Sequence, residues 1–204
     1  IQGTPSSLVS QVSTDSRKVG AGDLFIAIKG ERLDAHKFLS DVASAGAGAM
    51  LVSALPLETE SYRGGIIRVK DTLKALQRLA YHHRRTSTDL FVTGITGSNG
   101  KTSTKDFLTA VLACGGPVNA TVGNFNNHIG LPLTILAGGA GDRYGVWEMG
   151  MNHAGEIGVL ADIACPDAAV ITHIGTAHIE HLGSREAIAA EKGSLAEAVP
   201  AGGF

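Results

Sequence analysis

Apolar and polar positions alternate along the chain in short runs that predict strands and helices in turn. Leu24–Ile28 (LFIAI) is a continuous apolar run closed by Lys29 and Gly30, the pattern of a buried strand. Lys37–Ala45 sets Phe38, Val42 and Ala45 on one helical face until Gly46-Ala47-Gly48 stops it. Ala49–Val52 and Ile66–Val69 predict two further strands. A helix is expected from Asp71 to about Arg85, with Asp71 or Thr72 as N-cap and Leu73, Leu76, Leu79 and Ala80 spaced for burial. Residues 84–89 (RRTSTD) carry no apolar period, so the boundary between a first domain, 1–85, and a second, 86–204, is expected there.

Beyond that boundary the same alternation resumes. The strand Leu90–Val92 leads to a helix from Lys101 to about Cys114; Val118–Ala120, Tyr144–Glu148 and Ala168–Ile171 predict strands, and Ser184–Ala198 a last helix. This order implies an α/β fold with a parallel sheet and helices on both faces, in which ligands gather at the carboxyl ends of the strands.

At the first of those ends the chain reads TGSNGKTS, with Gly94, Gly97 and Gly100 ahead of Lys101 and Thr102. A strand, a glycine-rich turn and a helix N-terminus form the setting of a phosphate-binding loop. Backbone N–H groups approach an anion, a lysine reaches the outer phosphates and a threonine hydroxyl ligates Mg²⁺. The general pattern would need glycine at Ile95, so the chain points to a subclass of nucleotide triphosphate sites. The alternative is a glycine-rich turn that binds nothing.

Three later segments sit at similar strand ends. In Gly123–Pro132 (GNFNNHIGLP) the asparagines 124, 126 and 127 either satisfy turn backbone or present amides to a polar ligand. Glu148 ends an apolar strand next to Met149-Gly150, where it is either a solvated terminus or an acid that holds the Mg²⁺ of a nucleotide. In Thr172–Lys192, the histidines 173, 178 and 181 lack the His-Glu-x-x-His spacing of a zinc helix. A histidine there could instead serve a second Mg²⁺ or orient a phosphate, and Lys192 reads as an exposed helical lysine.

Composition narrows the partners. The 204 residues are 44% hydrophobic and 18% charged, an ordinary globular balance, and a net charge of −2 gives no reason to expect nucleic acid. No apolar run approaches the roughly 20 residues of a membrane span. The two cysteines, Cys114 and Cys165, offer neither a metal spacing nor a disulfide framework, so a reducing cytoplasm is the expected compartment. The absence of a first methionine and the ending Pro200–Phe204, poised as if to enter another strand, suggest that a longer protein is only partly in view.

The loop TGSNGKT (Thr96–Thr102) resembles that of the Mur ligase family of cell-wall enzymes. GNFNNHIGLP, EMGMNHAGEI (Glu148–Ile157) and AHIEHLGSREAIAAEKG (Ala177–Gly193) resemble its D-Ala-D-Ala-adding branch. TDSRKVGAGDLFIAIKGERLDAHKF (Thr14–Phe38) is similar to the family's UDP-sugar-binding domain.

The resemblance implies a small N-terminal α/β UDP-binding domain followed by the first half of a P-loop parallel-sheet ATPase domain. It also implies a cytoplasmic, monomeric enzyme that joins D-Ala-D-Ala to UDP-MurNAc-tripeptide through an acyl phosphate, with ATP and Mg²⁺. By position, Gly97, Ser98, Asn99, Gly100, Lys101, Thr102 and Ser103 would cradle the nucleotide. Thr102 and Glu148 would hold one Mg²⁺; His178 would ligate a second, beside a carbamylated Lys192. Ser16, Arg17, Lys29, Gly30, Asp34 and His36 would line the UDP pocket, and Asn126 and Asn127 would contact the UDP-sugar peptide. The piece is expected to be inactive alone. Rival expectations are the branch that adds the third amino acid of the peptide, folylpolyglutamate synthase, and a non-catalytic nucleotide-binding module.

Overall fold

The computed structural model describes residues 9–54 and 62–204. They form two compact units, one ending at Leu76 and the other starting at Gln77.

The first unit is built on a four-stranded parallel sheet in sequential order: β1 (Val12–Ser13), β2 (Leu24–Ile26), β3 (Ala49–Val52) and β4 (Gly65–Arg68). Phe25, Met50, Val52 and Ile66 from the sheet pack with Leu39 and Val42 of α1 (Leu39–Ser44). The helix expected over 37–45 is shorter than its period suggests. Asp34 accepts from His36 N at 3.0 Å and opens a 3-10 turn, Ala35–Phe38, before α1 starts. Gly46, at φ 83°, ends α1 in a conformation that a side chain would resist. The run LFIAI pairs as a strand only to Ile26; Lys29 then bridges to Asp34.

Helix α2 (Thr72–Thr86) contains the division between the units. Its cap is Asp71, which accepts from Lys74 N at 2.9 Å, while the Thr72 hydroxyl donates to Ala27 O at 2.8 Å. The polar stretch 84–89, where the domain boundary is expected, opens on a buried residue. Arg84 is 8% exposed. Its guanidinium donates to Ala164 O (3.0 Å), Ser87 O (3.1 Å), Cys165 O (2.9 Å) and the Asp167 carboxylate (2.9 Å). An arginine with no apolar period around it is buried here because every part of its fork meets an acceptor.

The second unit is a parallel sheet in the order β6-β7-β5-β8 (Val118–Ala120, Tyr144–Glu148, Phe91–Thr96, Ala168–Ile171). Alternation along the strands separates its faces. Val92, Trp147 and Met149 join one core with α4 (Gly130–Leu136), α5 (Glu156–Ala164) and α7 (Arg185–Glu197). Val146 and Glu148 turn the other way, toward α3 (Lys101–Leu112). Gly94 is small for a packing reason: a Cβ there would lie 2.8 Å from a Leu195 methyl.

Three helices have no amphipathic signature in the sequence. In α4 Gly130, Leu131, Pro132, Thr134 and Ile135 are all buried, and Pro132 is tolerated because it falls in the first turn. Helix α5 is apolar nearly all round, and α6 (Ile179–Leu182) is a single turn.

Replacing Arg84 by methionine takes the donor from the Ala164 and Cys165 carbonyls and the guanidinium from the Asp167 carboxylate, which keeps the Val92 N–H (2.8 Å). The loss should be about 2–4 kcal/mol of unfolding free energy. Urea denaturation should show a lower midpoint at unchanged slope; a shift worth under about 0.5 kcal/mol would contradict this role.

Candidate functional site

Strand β5 ends at Thr96, and the backbone then turns sharply through Gly97 (φ 152°) and Gly100 (φ 81°) into α3. A Cβ on Gly97 would overlap the Thr172 hydroxyl, so the turn needs glycine for space as well as for φ. The loop is braced from the end of β8. Ser98 N donates to His173 O (2.8 Å), Gly175 N to Ser98 Oγ (3.0 Å) and Thr172 Oγ1 to Asn99 O (2.6 Å). No side chain caps the N-terminus of α3, which leaves its first N–H groups facing the loop, and Lys101 Nζ donates to Gly97 O at 2.8 Å. A rigid turn, free N–H donors, the positive end of a twelve-residue helix and a lysine suit a phosphate group.

Glu148 stands beside this turn because β5 and β7 are neighbours with Ile95 opposite Glu148. It is 3% exposed. Oε2 accepts from Thr102 Oγ1 (2.9 Å), Oε1 from Asn126 Nδ2 (2.7 Å), and its N–H donates to Thr121 Oγ1 (2.9 Å). A buried carboxylate beside a threonine hydroxyl, at a helix N-terminus and held by the Asn126 NH2, offers oxygen donors suited to a hard divalent cation.

The asparagine loop is therefore more than a polar surface. Asn126 is fixed on Glu148 and its carbonyl accepts from Gly150 N at 2.8 Å; Asn127 Oδ1 accepts from Ile129 N and Gly130 N and so starts α4. The structure places the Asn126 amide in the carboxylate cluster and the Asn127 carbonyl oxygen in a helix start.

Lys192 corrects the reading of an exposed helical lysine. On α7 it is 2% exposed, and burial, then the charge of Lys101, push its amine down to about 8 against an opposing pull from Glu191. Glu191 locks the helix in place by accepting from Gly155 N (2.7 Å) and Ile157 N (2.8 Å) at the start of α5. His178 caps α6 in a left-handed conformation, φ 66°, uncommon for a residue with a side chain. Among the described residues it makes no hydrogen bond to Glu148, and no three His, Cys, Asp or Glu side chains gather as a ready metal cluster.

In the first unit two groups of expected ligand residues are ordered separately. Arg17 donates to both oxygens of Asp15 (2.9 Å each), which draws that carboxyl down to about 2, and Ser16 lies in the same turn. The Lys29–Asp34 bridge brings Lys29 and Gly30 beside Asp34 and His36. Asp34 Oδ1 lies 2.6 Å from His36 Nδ1, while His36 Nε2 accepts from Ser53 N (2.9 Å) and lies 3.1 Å from Ser53 Oγ. The Ser-His-Asp order is that of a nucleophile site, yet the backbone N–H of Ser53 occupies the imidazole lone pair a general base would need. Ser53 and Thr121 lie too far in sequence from their partners, 17 and 27 residues, for any spacing rule to find them.

Comparison with known proteins agrees with this geometry. The Mur ligase middle domain model matches residues 95–204, and the model described as Mur ligase family, catalytic domain, matches residues 8–84. A UDP-N-acetylmuramoyl-tripeptide–D-alanyl-D-alanine ligase of Bacillus subtilis (strain 168) is 48% identical over 186 residues, which are 91% of this chain and 40% of that protein. The crystal structure of MurF from Acinetobacter baumannii superposes with a TM-score of 0.91 at 36% identity, over 98% of this chain and 43% of that one. MurF ligase from Thermotoga maritima, solved in complex with ADP, gives 0.84 at 35% identity, over 96% of this chain and 45% of that one. The chain thus spans about 40% of the length of the curated relative it matches. With a middle-domain match over more than half its length and the glycine turn, Glu148 and α3 in one site, the chain belongs to the Mur ligase family.

Proposed function

We propose that the protein carrying this chain is an ATP-dependent ligase that forms the amide bond between UDP-MurNAc-tripeptide and D-Ala-D-Ala in peptidoglycan precursor synthesis. The observation that carries the reading is the contact of Thr102 with Glu148 at the mouth of the glycine turn, a nucleotide-metal pair in one place. The names of the relatives support the choice of substrates.

The residues divide the work. The N–H groups of Gly97 and of Asn99 to Ser103 bind the outer phosphates, while the Ser98 N–H stays on His173 O and braces the turn from the end of β8. Lys101 exchanges its bond to Gly97 O for one to a phosphate oxygen. Thr102 and Glu148 fit Mg²⁺, which supplies neutralisation of the charge on the phosphoryl oxygens. A carboxylate is a poor electrophile, so an oxygen of the tripeptide's terminal carboxylate takes the γ-phosphoryl group of ATP as ADP leaves, giving an acyl phosphate. The amine of D-Ala-D-Ala then attacks, and the tetrahedral species collapses to amide and phosphate as the amine loses its proton. The chain contributes position and charge, from which most of the acceleration of phosphoryl transfer comes.

A buried amine lowered to about 8 is partly neutral near physiological pH, and only the neutral amine adds CO₂. Lys192 thus suits conversion to a carbamate anion that would join His178 at a second Mg²⁺. In the first unit, Lys29, Gly30, Asp34 and His36, with Ser16 and Arg17, would receive the UDP moiety; Asn127, near Asn126, would face the sugar peptide. The monomeric state and the cytoplasmic site of action belong to the same proposal.

Two outcomes are expected. With ATP and Mg²⁺, a protein carrying this chain together with the remaining length of its relatives should release phosphate when given UDP-MurNAc-tripeptide and D-Ala-D-Ala. Lys101→Ala should lower that rate at least about 100-fold. Release only with UDP-MurNAc-dipeptide and a single amino acid would move the protein to the neighbouring branch, and release with neither pair would leave a binding module. The second concerns pH. The folded Lys192 amine lies near 8 and the unfolded one near 10.5, so below about 8 the fold carries the full cost of a buried ammonium. As pH rises from 8 to 10.5 the unfolded state holds the extra proton and stability rises. In metal-free, CO₂-depleted buffer Lys192→Met should remove a rise on the order of 1–2 kcal/mol, after allowance for solvent screening, read from urea unfolding at both ends of that range. Identical pH profiles for the two proteins would contradict it.

A further inference from the structure

Helix α3 has one buried side chain, Lys105, on the face that presents Thr102 to Glu148. Lys105 lies three residues on, and three-residue spacing keeps both on one side of the helix. That side packs on a sheet, where an apolar residue would ordinarily stand. Its Nζ donates to Thr121 O at 3.0 Å and pairs with Asp106 at 2.8 Å. Thr121 is buried too; its N–H donates to Val146 O (3.1 Å) and its hydroxyl accepts the N–H of Glu148 (2.9 Å). The loop that begins at Thr121 returns five residues later with Asn126 on the Glu148 carboxylate.

From this geometry we infer that Lys105 is a positioning residue for the metal-binding carboxylate. Through Thr121 it fixes the backbone of Glu148 and the root of the Asn126 loop to the same helix whose Thr102 meets Oε2. The inference rests on the nucleotide-metal reading of Thr102 and Glu148. Both anchor points of Glu148 then move with α3, so the distance between the Thr102 hydroxyl and the carboxylate is set by one rigid helix rather than by two independent loops. A lysine fits this task because its ammonium satisfies a strand-end carbonyl and a carboxylate at once from beneath the helix. A role limited to stability would require only that the carbonyl be satisfied; positioning requires that Mg²⁺ affinity follow the lysine.

The test is ADP binding to the full chain by isothermal titration calorimetry, across a Mg²⁺ series and in EDTA, with melting temperature recorded beside it. Lys105→Met should raise the Mg²⁺ concentration that half-saturates the ADP complex about tenfold and leave ADP affinity in EDTA unchanged, the usual effect of removing an outer-shell partner. Lys105→Arg should restore the Mg²⁺ dependence to within about threefold. Thr121→Val, which keeps Lys105 and removes the acceptor of the Glu148 N–H, should reproduce the shift, and it serves if Lys105→Met does not fold. A Mg²⁺ series in Lys105→Met or Thr121→Val that superposes on the unsubstituted protein overturns the inference whatever happens to the melting temperature. Equal losses of ADP affinity with and without Mg²⁺ overturn it too. Lys101→Ala separates the two levels: if it leaves ADP binding intact, or the unsubstituted chain binds no ADP, the nucleotide reading fails and the inference falls with it.

Discussion

The parallel pairing of β5 with β7, Ile95 opposite Glu148, is the constraint on which the second unit depends. It sets a carboxylate at the strand end next to the one that opens into the glycine turn, and α3 closes the triangle by bringing Thr102 to within 2.9 Å of Glu148. A one-residue slip in that register would send Glu148 into the apolar face now held by Trp147 and Met149. Burial on both faces therefore protects the site: the same alternation that packs Trp147 against α4 and α5 aims the acid at α3.

Charge is arranged around that frame in two layers. Lys192 on α7 is buried, and the charge of Lys101 at the turn adds to burial in lowering its amine. An ammonium so placed is costly to keep and is relieved by a polyanion or by conversion of the amine to an anion. Beneath it, Glu191 on the start of α5 and Arg84 on the α5–β8 connection hold the helices that carry the site. Neither touches the reacting groups.

The elements that can be read in the sequence are those whose signal is local. The glycine turn with Lys101 and Thr102, the strand ending at Glu148 and the cap at Ser184 each combine period, turn chemistry and spacing within a few residues. Helix α4 escapes such a reading because it is buried nearly all round, and α5 because its exposed side carries the apolar Val159 beside Asp162, so no polar stripe marks their period. Lys192 reads as exposed because a lysine flanked by Ala190, Gly193 and Ser194 looks solvated until α7 is laid on β5 and β8. Arg84 looks like linker for the opposite reason. Its partners lie some 80 residues away, and a buried arginine is identified by acceptors that only the fold assembles. Thr121, Lys105 and Ser53 belong to the same class.

The most direct test of the Thr102–Glu148 metal site is a crystal structure of the chain grown with ADP and Mn²⁺ in place of Mg²⁺, with anomalous data. The expected result is an anomalous peak in contact with Thr102 Oγ1 and a Glu148 carboxylate oxygen, with the β-phosphate on the N–H groups of Asn99–Thr102 and Lys101 released from Gly97 O. A nucleotide bound away from the turn, or manganese on other ligands while Glu148 keeps its bonds to Thr102 and Asn126, would contradict it.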